Sequence, residues 1–163
     1  MPQKKRKINI GAFKKVLKIV KDSLAEKLES KGTGNFRYCT WFMDLTGEHK
    51  TVGDVLEHPC GTAGCLGGWG SILELGKTAA GRACAVGGSA SGSSVYRDET
   101  ACKFYGITHA AGRHLFYGYW HGRLGLHASD QAIIAKLENI IETGKVINRR
   151  FDKQFDDGDF VNE

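Results

Sequence analysis

The chain has 163 residues, 41% of them hydrophobic and five of them cysteine, enough to bury one core without disulfides or metal. Lys and Arg outnumber Asp and Glu by 23 to 18, a formal charge of +5 that suits an anionic partner without identifying one. No run approaches the roughly 20 apolar residues of a membrane span. The cysteine count is odd and no apolar signal segment leads it, so no membrane association and no secreted disulfide framework are expected, but reduced thiols in a cytoplasm.

In chain order, residues 1–9 read as a basic flexible arm containing Pro2-Gln3-Lys4-Lys5-Arg6-Lys7, either a solvated extension or a nucleic-acid tail. A single globular domain is expected over 10–147 and an acidic, aromatic tail over 148–163, disordered or docked through its phenylalanines on a neighbouring subunit. Ile10, Phe13, Leu17, Val20, Leu24 and Leu28 recur at three- and four-residue steps and predict an amphipathic helix that Gly32 and Gly34 end. Phe36 to Leu45 is aromatic and reads as extended or irregular. Most of it suits a core cluster, with Trp41 also a candidate ligand contact.

Leu66, Trp69, Ile72, Leu73 and Leu75 predict a helix closed by Gly76. Gly67, Gly68 and Gly70 each cost a helix up to about 1 kcal/mol relative to Ala, so their clustering implies a close neighbour, either a crossing helix or a ligand. Residues 77–95 are rich in Gly, Ala and Ser and read as a loop or weak hairpin. Asp98 or Thr100 caps a further helix that stops at Gly106, another starts from Thr108, and Ser129 to Gly144 bounds the last. The predicted fold is mainly α (α or α+β): a compact domain of about four to five helices with a Gly/Ser-rich loop or small hairpin.

The most informative segment is His58-Pro59-Cys60-Gly61-Thr62-Ala63-Gly64-Cys65-Leu66-Gly67-Gly68-Trp69-Gly70. A small-residue turn emptying into a helix offers unpaired backbone N–H groups at the positive end of the helix dipole, a setting that receives phosphate. Cys60 and Cys65 are separated by four residues, unlike the two-residue spacing of most zinc knuckles. Their thiols read as close-packing groups, or Cys65 reads as a nucleophile at a helix N-terminus with a histidine base. A second candidate surface runs from Arg113 to Arg123, where cations alternate with aromatic rings, among them Tyr117 and Trp120, able to stack bases. His109, His114, His121 and His127 lack the spacing of a helical metal motif, and His127-Ala128-Ser129 has no second His-x-Ser copy. No metal, no cofactor and no catalytic residue are therefore expected.

The order of an amphipathic first helix, a Trp-containing segment, Cys60-Gly61-Thr62-Ala63-x-Cys65-x-x-Gly68-Trp69, a helix ending near Gly106-Ile107, then Leu115-Phe116 and a final helix resembles a widespread family of small tailed-phage proteins over about residues 10 to 145. The pattern is similar to that of the anti-CBASS sponges. That resemblance implies a homotetramer in the host bacterial cytoplasm that binds cyclic dinucleotide immune signals, such as 3′3′-cGAMP, without cleaving them. It carries ligand binding onto Cys60, Gly61, Thr62, Ala63, Gly64, Cys65 and Trp69, and further onto Trp41 and the neighbourhood of Arg113. Gly64 and Gly67 depart from the pattern, which has Ala or another small residue there. The competing expectations are a cysteine hydrolase using Cys65 and a basic module binding nucleic acid or a host protein.

Overall fold

The structure is a computed structural model that describes residues 7–29, 34–37, 42–86, 98–117 and 128–156. Helix α1 (Ile10–Leu28) starts at Asn9, whose side-chain oxygen accepts the Ala12 N–H at 3.2 Å and so satisfies one of the donors every helix start leaves open. Asn9 also donates its own N–H to the Tyr105 carbonyl at 2.9 Å, which fastens the start of α1 to the end of α5 (Asp98–Tyr105). The buried face of α1 is Ala12, Phe13, Val16, Val20 and Ser23. The expected stripe shares Phe13 and Val20 with it but ends on Leu28, which is 74% exposed. The face is turned toward Ser23 because that hydroxyl accepts the buried N–H of Phe36 at 3.0 Å, a bond no periodicity reports.

The strand pair lies elsewhere than residues 77–95, where the weak hairpin was expected. Strand β1 (Phe42–Asp44) runs antiparallel to β2 (Thr62–Gly64) with Phe42 opposite Gly64 and Asp44 opposite Thr62, and Phe36 bridges Gly64 in parallel. Between them sits α2 (Val52–Glu57), opened by a capping box in which Thr51 and Asp54 satisfy each other's backbone N–H groups.

Helix α3 (Leu66–Leu75) is followed by the short α4 (Ala79–Arg82). The glycines of α3 do mark a helix crossing: a Cβ on Gly70 would lie 2.7 Å from Tyr105 Cε2 and 3.3 Å from the Ala101 Cβ, both on α5. Helix α6 (His109–Phe116), capped by Thr108, approaches α5 in the same manner, since a Cβ on Gly112 would meet Cys102 Sγ at 2.3 Å. At the centre, the Tyr105 ring packs on Phe13, Phe104 and Phe116 with centroids 4.7, 5.1 and 5.8 Å away.

Helix α7 (Asp130–Thr143) begins at its Ser129 cap and ends at left-handed Gly144, both as the sequence indicates. It leans on α1, with Lys27 reaching Asp130 at 2.8 Å and Lys21 reaching Glu138 at 2.8 Å. The chain then forms α8 (Arg149–Asp156) where a tail was expected, and Phe155 is buried in its own chain's core rather than offered to a neighbour. Lys136, fully buried on α7, donates to Asp152 of α8 and to the Val146 carbonyl at 2.7 Å, and Asp152 lies 3.2 Å from His114 of α6. The mainly α class holds. Eight helices exceed the expected four to five among the described residues because α2 and α4, of six and four residues, are too short to show a hydrophobic period and α8 falls in the stretch read as a tail.

Removing one partner of a buried ion pair leaves the other charge uncompensated. Asp152→Ala is expected to lower unfolding stability by about 3–5 kcal/mol in urea titration, and a loss below about 1 kcal/mol would show that α8 is not held by Lys136.

Candidate functional site

The cysteine segment is less open than its composition suggests. The turn itself comprises Cys60 and Gly61, and the next three residues are strand. The Thr62 N–H donates to the Pro59 carbonyl at 3.2 Å, its hydroxyl to the same oxygen at 2.6 Å, and the Gly64 N–H to the Asn35 carbonyl at 3.0 Å. Thr62, Ala63, Gly64 and Cys65 are buried. The expected outward-facing cradle over Gly61 to Cys65 is thus corrected to a paired strand, because alternating sheet bonds absorb the donors a loop would leave free. What faces solvent is Cys60, with half-buried Gly61 beside it.

Trp69 needs the same correction. It is 3% exposed, and its indole N–H donates to the Asn35 carbonyl at 2.8 Å, so the ring is a core anchor for the segment and not a stacking surface. Cys65, also 3% exposed, is the residue just before α3, where its small side chain suits the close packing around it. Burial, with the nearby Asp98 and Glu99 carboxylates, pushes the Cys102 thiol up to about 11, which makes it a packing group as well.

Supporting the Cys60–Gly61 turn is a pair that composition did not single out. Asp44 accepts from the Thr46 N–H and hydroxyl at 3.1 and 3.0 Å, from the His49 N–H at 2.9 Å, and from His49 Nδ1 at 3.0 Å. Burial alone would raise its pKa, but these donors hold the carboxyl well below the ordinary carboxylate range. The other ring nitrogen of His49 donates to the His58 carbonyl at 2.5 Å. Gly61, at φ +82, lies against Thr46, where a Cβ would come 2.4 Å from Thr46 Cγ2. The signal available in the sequence was Asp44-Leu45-Thr46-Gly47, an Asx-type turn.

The second candidate surface keeps its exposed members. Arg113 is exposed on α6, and Tyr117, one turn later, is 39% exposed with its hydroxyl donating to both Asp98 oxygens at 3.0 and 3.2 Å. Burial, then the Asp98 contact, raises the phenol pKa; Arg113 opposes and Cys65 adds to the rise. Arg113 and Tyr117 therefore share the exposed side at the end of α6. Phe116 is buried and serves the core. Trp41, Trp120, His121 and His127 lie outside the described residues. Among the described residues, no three His, Cys, Asp or Glu side chains converge as metal ligands would, and no helix is long and apolar enough to cross a membrane.

No protein-family model matches the chain, and neither a curated protein nor a solved structure matches it.

Trp69→Phe keeps an aromatic ring but removes the pyrrole half of the indole with its only donor, leaving a small cavity and the Asn35 carbonyl one partner short. The expected cost is about 1–3 kcal/mol in chemical denaturation with the helical circular dichroism retained, and an unchanged midpoint would show that this bond does not anchor the segment.

Proposed function

We propose that this chain is a phage immune-evasion protein that binds and sequesters a cyclic oligonucleotide signal such as 3′3′-cGAMP in the host bacterial cytoplasm, as a homotetramer and without cleaving it. The observation that carries this reading is the exposed pair at the end of α6. The Tyr117 ring is steadied by two bonds to Asp98, and an exposed guanidinium stands one helical turn before it. A ring already held in place loses little freedom when a base stacks on it. Asp98 repels phosphate, so the anionic part of the ligand belongs on the Arg113 side, where Arg can bind it bidentately. Exposed Cys60 and half-buried Gly61 remain further contact candidates, as do Trp41 and Trp120, which lie outside the described residues.

Burial of the Cys65 thiol favours sequestration over the hydrolase alternative, since a nucleophile must meet its substrate. The basic-module alternative is weakened on α1, where Lys18 and Lys21 are already matched by Asp22 and Glu138.

Isothermal titration with cyclic dinucleotides tests the reading. Arg113→Ala and Tyr117→Ala are each expected to weaken binding at least about tenfold, roughly 1.4 kcal/mol, and Tyr117→Phe, which keeps the ring but loses its hold on Asp98, to weaken it measurably but less than Tyr117→Ala. Wild-type affinity in both alanine variants would place the ligand elsewhere, and no heat with any cyclic oligonucleotide would overturn the proposal. Light scattering of the bound protein should return a tetrameric mass.

A further inference from the structure

We infer that Asp44 and His49 form a proton-dependent clasp on the Cys60–Gly61 turn, in which His49 holds the turn as an imidazolium and releases it when the ring loses its proton. The inference rests on the arrangement of these residues and stands whether or not the protein binds a nucleotide.

The His49 ring is 7% exposed and has an acceptor at each nitrogen: Asp44 Oδ1 at 3.0 Å from Nδ1 and the His58 carbonyl at 2.5 Å from Nε2. Neither acceptor carries a proton of its own, because the carboxyl is kept ionised by its several donors and the other group is a backbone carbonyl. A neutral imidazole has one N–H. Whichever tautomer it adopts, one of these two buried approaches becomes lone pair against lone pair, and only the cation satisfies both. An unmatched buried acceptor is costly, so deprotonation breaks one of the two bonds. The bond to the His58 carbonyl is the one that gives way, because the carboxylate is the stronger acceptor and keeps the ring's remaining proton on Nδ1.

The charged surroundings agree. Glu48 on the same loop and Asp54 on α2 act on the ring together with Asp44, and all three are carboxylates that favour the cation. The Lys50 and His58 side chains are exposed, and the turn contributes only its carbonyl. The bond to the His58 carbonyl raises the His49 pKa, burial lowers it, Asp44 raises it again, and the balance lies above the ordinary histidine value. A raised folded-state pKa means that this stabilisation is complete below the unfolded value of about 6.5 and is lost as pH climbs through the folded one. The turn is therefore fastened below about pH 6.5 and loosened as the ring titrates above that value.

What is loosened is defined. The Leu45 N–H donates to the Gly61 carbonyl at 2.7 Å and the Thr62 N–H to the Pro59 carbonyl, so both amides report on the turn. Nitrogen NMR of the full chain, titrated with pH, is expected to show both His49 ring nitrogens still protonated in most molecules at the ordinary histidine value of about 6.5. Exchange protection of the Leu45 and Thr62 amides, corrected for base catalysis, is expected to fall by up to about tenfold per pH unit between about pH 6.5 and the ring's raised pKa and to level off above it. In His49→Gln, protection at both amides is expected to be weaker and independent of pH. A mostly neutral His49 ring at about pH 6.5, or wild-type protection that stays unchanged while the ring titrates, would overturn the clasp. If His49→Gln fails to fold, the ring nitrogens and wild-type exchange decide alone.

Discussion

The Tyr105 hydroxyl donates to the carbonyl of Leu66 at 2.8 Å inside the core, joining the last residue of α5 to the first residue of α3. Both groups are buried, so neither can exchange this bond for one to water, and the separation of the two helices is set by the reach of a phenol. Gly70 makes the approach possible, because any side chain there meets the Tyr105 ring. Burial, with Cys65 adding to it, pushes the Tyr105 pKa well above its ordinary value, so the hydroxyl keeps its proton and its role as donor. From that contact the rest follows in two directions. The start of α3 positions Cys65 and the strand before it, while the Phe116 ring packed on Tyr105 positions α6 and with it Arg113 and Tyr117.

Around this centre, several segments are fixed by specific polar ties as well as by apolar burial. The Asn9 cap fastens α1 to α5, Ser23 and Lys27 fasten the Phe36 segment to α1, and Lys136 fastens α8 through Asp152. Such ties are specific in geometry and fail together with either partner, in contrast to an apolar face that tolerates volume-conserving exchange. The same economy explains the small strand pair. Two strands of three residues are too short to be stable alone, and they persist because Trp69 and Asn35 hold β2 while the Asp44 network holds the end of β1.

Local signals were the legible ones. The Ser129 and Thr108 caps, the Gly106 and Gly144 stops and the glycine crossing in α3 depend on residues within a turn or two of each other, and all are visible in the sequence. The face of α1 was misjudged because two stripes share Phe13 and Val20, and the choice between them is made by Phe36, across the chain. At the candidate site, Arg113 and Tyr117 were readable as an exposed cation and ring on one helix. Trp69 and the strand Thr62–Gly64 were not, because whether a Gly/Thr/Ala run is a loop or a strand depends on a pairing partner about twenty residues away. Asp44 with His49, and Lys136 with Asp152, escaped for the same reason: a buried charge is recognisable only once its partner is known.

Sequestration, as opposed to turnover, is the central claim, and capture followed by release tests it most directly. Excess protein incubated with a cyclic dinucleotide is expected to deplete the free signal, and heat denaturation is expected to return it chemically intact by mass spectrometry. Linear or mononucleotide products that accumulate with time and disappear in Cys65→Ala would contradict the account.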